Sequence, residues 1–209
     1  MNHSTMHTIK VTNEFILVRH ATCERMDSLL LGRTVDAPLN THGLREAEAT
    51  ARSLESVSDP LIDTSPRQRA RQTAAAIAAR TGAEIVTSSA IDEVDFGAWS
   101  GQTFAQLSDD PAWRHWNDQR ASAATPAGER VDDIRTRALE HFRRLQSAFP
   151  ARPIIIVTHA EVIRTALLHW LGAPAESYQR LVISPASVTR VRLGEWGVSI
   201  ESINQRVPS

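Results

Sequence analysis

Two apolar runs in this chain each lead directly into a histidine. Phe15-Ile-Leu-Val18 continues as Arg19-His20, and Pro153-Ile-Ile-Ile-Val157 continues as Thr158-His159. A third run, Leu61 to Thr64, leads to Ser65-Pro66 and then to Arg67, Arg69 and Arg71. A neutral imidazole can attack phosphorus and carry a phosphoryl group as a covalent intermediate. Guanidinium forks grip phosphoryl oxygens, and a helix N-terminus favours anions. Two imidazoles and several guanidiniums gathered in one crevice therefore suit a phosphoryl group. Other chemistries find less support. Cys23 is the single cysteine, so a disulfide within the chain and a four-thiolate zinc site are both excluded. A cysteine phosphatase would carry arginine six positions after its cysteine, where this chain has Leu29. No P-loop lysine pattern, dinucleotide glycine fingerprint or two-histidine helical zinc motif occurs, so no metal and no cofactor is expected.

Those residues need a scaffold. The apolar runs are strand-length. Between them lie helical patterns over Leu44 to Leu54, with Leu44, Ala47, Ala51 and Leu54 on one face, and from Ser65-Pro66 to about Arg80 before Gly82. Ser65 reads as an N-cap. A longer helix carries the stripe Val131, Ile134, Ala138, Leu139, Phe142 and Leu145, and another runs from about Glu161 to Leu171. Ile85 to Thr87 reads as a strand. Val188 to Leu193 and Trp196 to Ile200 read as a hairpin turning at Gly194-Glu195. Residues 93 to 128 are irregular and hold Phe96, Trp99, Phe104, Trp113 and Trp116. Alternating strands and helices predict an α/β three-layer sandwich, a mostly parallel central sheet with helices on both faces. In such sheets, ligands bind beyond the carboxyl ends of the strands, where His20 and His159 fall.

The chain has 209 residues, 42% hydrophobic and 22% charged, which suits one globular domain. Residues 1 to 12 are expected to be flexible, with His3 and His7 among them. The net charge of -1 argues against nucleic acid or a membrane surface as partner. No run approaches a membrane span, and Met1 to Lys10 is too polar for a secretory signal, so the cytoplasm is the expected location. Only Lys10 is lysine; the remaining cations are arginines.

Several segments carry a specific likeness. Leu17-Val-Arg-His-Ala-Thr22 resembles the Arg-His-Gly motif of the histidine phosphatase superfamily, branch 1, the phosphoglycerate mutase-like family. Asp36-Ala-Pro-Leu-Asn-Thr-His-Gly43, Thr64-Ser-Pro-Arg-Gln-Arg-Ala-Arg-Gln-Thr73, Asp92-Glu-Val-Asp-Phe-Gly-Ala-Trp-Ser-Gly101, Ala127-Gly-Glu129 and Val157-Thr-His-Ala-Glu-Val-Ile-Arg164 are similar to further family segments, in the family's order. The resemblance implies a phosphoglycerate mutase-like fold. It also implies His20 as nucleophile, Arg19 and Arg69 as phosphate clamps, His159 as the second pocket histidine and Glu93 as the acid. Asp95, one strand-repeat away, is the fallback acid. The chain departs from the pattern where alanine replaces glycine at Ala21 and Ala160, where Thr22 replaces the usual glutamate or glutamine, and near Met26, where asparagine is usual.

The expected activity is that of a metal-independent phosphomonoesterase acting through phosphohistidine on a small phosphorylated metabolite. Thr22, Arg25, Arg33 and Ala160 are the expected substrate contacts, with Arg25 and Arg33 gripping a carboxylate or a second phosphate. The alternatives are mutase-type phosphoryl transfer and a non-catalytic phospho-ligand binder. Glycolytic mutases of the family carry longer insertions, which favours the phosphatase. Val188 to Leu193, if an exposed edge strand, could pair in a homodimer.

Overall fold

The computed structural model describes residues 12–208. The N-terminal stretch expected to be flexible lies outside them, apart from Thr12. Its strands are β1 (Thr12–Arg19), β2 (Leu61–Thr64), β3 (Ile85–Thr87), β4 (Ile154–Thr158), β5 (Val188–Gly194) and β6 (Gly197–Gln205). They form one six-stranded sheet in the order β3-β2-β4-β1-β5-β6. The first four of that order are parallel; β5 runs antiparallel to both of its neighbours, β1 and β6.

Alternation along β1 divides the core into two layers. Ile16 and Val18 face α1 (Thr41–Leu54) and α2 (Gln68–Thr81), against Ala51, Leu54, Ala70, Ala74 and Ile77. Phe15 and Leu17 face the opposite layer, with the buried stripe of α5 (Val131–Ala148) and the apolar face of α6 (Ala160–Trp170). The predicted three-layer α/β fold is thereby realised, because period-2 strands must cover both faces.

Several local expectations change. Leu44 is 54% exposed, because α1 begins at Thr41, capped by the Asn40 side chain accepting from the Gly43 amide, and turns Leu44 outward. α2 starts at Gln68 with Arg67 as N-cap; Ser65 Oγ accepts the Arg67 amide at 3.3 Å and keeps its own proton for a partner outside the helix. The irregular segment contains two short helices, α3 (Phe104–Ser108) and α4 (Pro111–Asp118). Each is started by a side-chain cap, Thr103 and Asp110. Trp99 and Trp116 anchor this segment in the α5–α6 layer. β5 lies inside the sheet between β1 and β6, so the edge on that side belongs to β6.

Candidate active site

The site begins as a property of the sheet. β1 and β4 are parallel neighbours with Arg19 opposite Thr158, and the His20 amide donates to the Thr158 carbonyl at 2.9 Å. Both histidines therefore leave the sheet at the same level, and their ring centroids lie 5.1 Å apart. β2 ends beside them: the Ser65 amide donates to the Val157 carbonyl. Arg69 reaches in from the first turn of α2 and is 1% exposed, while His159 is fully buried.

Hydrogen bonds fix the ring states. His20 Nδ1 lies 2.9 Å from the Ala21 carbonyl, which can only accept, so the proton sits on Nδ1 and the lone pair on Nε2. That Nε2 receives Arg69 Nε–H at 3.3 Å. Burial pushes His20 well below its ordinary value of 6.5, and the charges of Arg69, His159 and Arg19 add to the effect. His20 is thus a neutral imidazole whose unprotonated Nε2 meets Arg69, and both residues line the cavity. His159 Nε2 meets Ser65 Oγ at 2.8 Å, and that hydroxyl donates to Asp92 Oδ1 at 3.0 Å. A hydroxyl has one proton, so His159 Nε2 must donate to Ser65. Ser65 is the functional residue that its sequence position hid as a helix cap. Its signal was placement: it follows β2 as the histidines follow β1 and β4.

The two arginines present unused donors. Arg19 donates Nη1–H to the Ile183 carbonyl at 2.6 Å, yet its buried Nε has no partner. Arg69 gives Nη2–H to the Gly32 carbonyl at 3.1 Å, and its buried Nη1 has none. Buried unpaired donors are costly unless an anion takes them.

Glu93 completes the group. Its Oε2 lies 3.2 Å from His159 Nδ1 and 3.7 Å from Arg69 Nη2, and its Oε1 accepts the Val94 amide at 3.0 Å. Burial alone would raise this carboxyl, but His159, Arg69 and the Val94 amide together hold it well below the usual carboxylate range. Arg33 stands behind it, donating Nε–H to the Glu93 carbonyl at 2.6 Å and pairing with Glu129 at 2.7 Å. Asp95 caps the Gly97 amide and does not line the cavity.

His20, Glu93 and His159 have the ligand types of a metal site, with atoms within 4.8 Å of one another. Arg69, however, donates to His20 Nε2 and sits 3.4 Å from His159 Nδ1. A fixed cation already faces those atoms, so the arrangement suits an anion better than a metal.

A cavity of about 360 Å³ opens over these groups. Arg19, His20, Arg69, Glu93 and Ala160 line it, and His159 sits beneath in contact with Glu93 and Arg69. Three expected substrate contacts lie elsewhere. Thr22 carries its backbone on Glu46 and Asn40, Arg25 is exposed in the turn after Cys23, and Arg33 is spent on Glu93 and Glu129. The remaining polar wall comes instead from Asn117, Arg120, Glu161, Arg164 and Tyr178. Glu161 and Arg164 were findable as positions i and i+3 on the helix after His159; Arg120, in an aperiodic segment, gave no signal.

A buried neutral histidine, two guanidiniums and a carboxyl gather at the carboxyl ends of a parallel sheet. The model of the histidine phosphatase superfamily (branch 1) matches residues 15–206, and the chain belongs to that family. The "Bifunctional protein Rv2228c" of Mycobacterium tuberculosis is 29% identical over 194 residues, 91% of this chain and 53% of that protein. The chain thus spans about half the length of that relative. A Photorhabdus laumondii protein named as a probable phosphoglycerate mutase, GpmB, is 31% identical, covering 84% of this chain and 82% of its own. The native structure of a mycobacterial glucosyl-3-phosphoglycerate phosphatase aligns with TM-score 0.83 at 25% identity, over 92% of this chain and 99% of its own. Among the described residues no helix is long and apolar enough to cross a membrane.

Proposed function

We propose that this chain is a phosphomonoesterase acting through a phosphohistidine on His20. One observation carries the reading. The His20 Nε2 lone pair faces the same cavity as two buried arginines whose Arg19 Nε and Arg69 Nη1 donors are unpaired. A phosphoryl dianion would satisfy both donors and draw the Arg69 Nε–H away from the nucleophile.

Arrival of the dianion changes Glu93. Opposite unit charges 4 Å apart interact by about 4 kcal/mol at an effective dielectric of about 20, and like charges repel by as much. That equals about three pH units of upward shift, enough to bring a depressed carboxyl toward protonation. Glu93 then holds the proton that the leaving oxygen needs. His20 Nε2 forms a bond to phosphorus as the ester P–O bond breaks, and Glu93 transfers its proton to the departing alkoxide. In the second half the Glu93 carboxylate takes a proton from water. The resulting hydroxide attacks phosphorus, the N–P bond breaks, and phosphate leaves. Arg19 and Arg69 stabilise the equatorial oxygens in both halves. His159, fixed by Ser65 and Asp92, holds Glu93 in line.

The GpmB relative supports a second reading, transfer of the phosphoryl group to another hydroxyl rather than to water. Phosphate release from a panel of phosphomonoesters tests the choice. Release is expected to exceed interconversion of 2- and 3-phosphoglycerate, with or without a bisphosphate primer. Primer-dependent interconversion with negligible phosphate release would overturn hydrolysis.

A further inference from the structure

One side chain of the cavity wall touches the phosphoryl clamp and has no part in the chemistry above. Met26 stands midway along the turn over residues 24–28, between isolated bridges at Cys23 and Leu29. It is half-buried, it lines the cavity, and its Sδ lies 3.7 Å from Arg19 Nη2. A thioether is only a weak acceptor. Arg19 therefore commits Nη1 firmly, to the Ile183 carbonyl at 2.6 Å, and rests Nη2 against a soft, uncharged sulfur. Its buried Nε has no partner. Sulfur holds this guanidinium in place while taking little of its charge, so the charge stays available to an anion.

Sulfur can also do what the carbons around it do not: it takes an oxygen from a peroxide. Its lone pair attacks one peroxide oxygen, the O–O bond breaks, and a proton passes to the departing oxygen, which leaves as water or an alcohol. The sulfur is oxidised by two electrons and the peroxide is reduced by two. The product is a sulfoxide, whose oxygen is a strong acceptor. Carried on an atom 3.7 Å from Arg19 Nη2, that oxygen comes within hydrogen-bond reach of the guanidinium. It takes a donor from the phosphoryl oxygens and turns its own negative end toward the dianion.

Competing targets for a peroxide are few. Met26 is the only methionine among the described residues, the other two being Met1 and Met6. Cys23, three positions earlier, is 2% exposed, and burial pushes its thiol up to about 11, which leaves little thiolate to react.

We infer that Met26 is a modification site, where a peroxide forms a sulfoxide that draws Arg19 from the phosphoryl group and reversibly weakens anion binding. The effect on turnover rests on the phosphatase reading; the effect on phosphate affinity does not.

The test uses the full chain, hydrogen peroxide and inorganic phosphate. After mild peroxide treatment, mass spectrometry of proteolytic fragments should find one added oxygen on Met26. Calorimetry should then give a phosphate Kd raised by about tenfold, the worth of one charge-assisted hydrogen bond. Methionine sulfoxide reductases acting on both epimers should restore the starting value. In Met26→Leu, which has no sulfur to oxidise, peroxide should move the phosphate Kd by less than about twofold. Each comparison is made on one protein before and after treatment, so a different starting affinity does not affect it. Met26→Gln sets an amide oxygen beside Arg19 without any oxidant and should bind phosphate more weakly than Met26→Leu. Full oxidation of Met26 with an unchanged Kd would overturn the inference, as would an equal peroxide effect in Met26→Leu. Failure of Met26 to oxidise under conditions that oxidise free methionine would do the same. If no ester released phosphate, the phosphatase reading would fall, while the phosphate Kd would still decide this site.

Discussion

Replacing Glu93 with glutamine separates the leaving-group acid from everything else the site does. The amide oxygen can keep the Val94 amide bond, made at 3.0 Å in the native chain, which turns the NH₂ toward His159 Nδ1 and Arg69. The shape is preserved and the transferable proton is gone. General acid catalysis contributes about 10²- to 10⁴-fold, or about 2.7–5.4 kcal/mol of barrier. That whole loss should fall on alkyl phosphates, whose alkoxide leaves badly without a proton. p-Nitrophenyl phosphate releases a stabilised phenolate and should lose less than about tenfold in its first turnover. The first turnover matters because Glu93 also activates water in the second half, so steady-state rates fall with either ester. Rapid-quench measurement of phenolate release and of alcohol release, at matched enzyme concentration, gives the comparison. An equal loss in the two first-turnover rates would remove Glu93 from the acid role, and no other carboxyl in the cavity except Glu161 could replace it.

His20→Ala should abolish turnover, and brief reaction of the native chain with ³²P-labelled ester should place an acid-labile, base-stable label on His20; a label on Cys23 or on a serine would refute the mechanism. Excess EDTA should leave activity unchanged, because Arg69 already supplies the positive charge among His20, Glu93 and His159; loss restored by magnesium or zinc would contradict this. Burial lowers both His20 and His159 from 6.5, so the unfolded chain binds more protons below that value and stability should decline as pH falls through it. Each histidine contributes a slope of up to about 1.4 kcal/mol per pH unit, with none above about pH 7.5; urea midpoints that rose on acidification would reverse the sign. Gly43→Ala would put a methyl carbon 1.8 Å from the Thr22 carbonyl, where the start of α1 presses on the chain just past His20. Overpacking of this kind should cost about 1–3 kcal/mol, measured by thermal unfolding, and an unchanged Tm would show that the contact yields freely.

The meeting of His20 and His159 was legible in the sequence because strands announce themselves. β1 and β4 are unbroken apolar runs, and the residues after them, His20 and His159, fall where parallel sheets bind ligands. The fold class and the stripe of α5 followed from the same periodicities. Reading failed where contacts are made by residues distant in sequence and lacking a period. Arg33 looked available to substrate, but Glu93 and Glu129, far away in the chain, capture it. Arg120 carries no signal in an aperiodic segment, and Tyr178 and Glu161, distant in sequence, enclose it. Ser65 was obscured by Pro66, whose usual meaning is the first turn of a helix. Leu44 fits the apolar face of a helix that begins there, but Asn40 caps α1 so that it begins at Thr41.

Ser65, His159 and His20 each stand immediately after a strand, and the three strands, β2, β4 and β1, are consecutive in the sheet. Neighbouring strands lie about 4.8 Å apart, a distance fixed by backbone hydrogen bonds and indifferent to side chains. The two imidazoles, at 5.1 Å, keep close to that interval. Peptide geometry is therefore the gauge of the phosphoryl centre, and its tolerance is that of a hydrogen-bond ladder. The rest of the cavity wall comes from segments outside the ladder: the stretch through α4, α6 beyond its first residue, and the turn around Tyr178. Mutation can re-cut that wall while the spacing of the two histidines stays locked in the sheet.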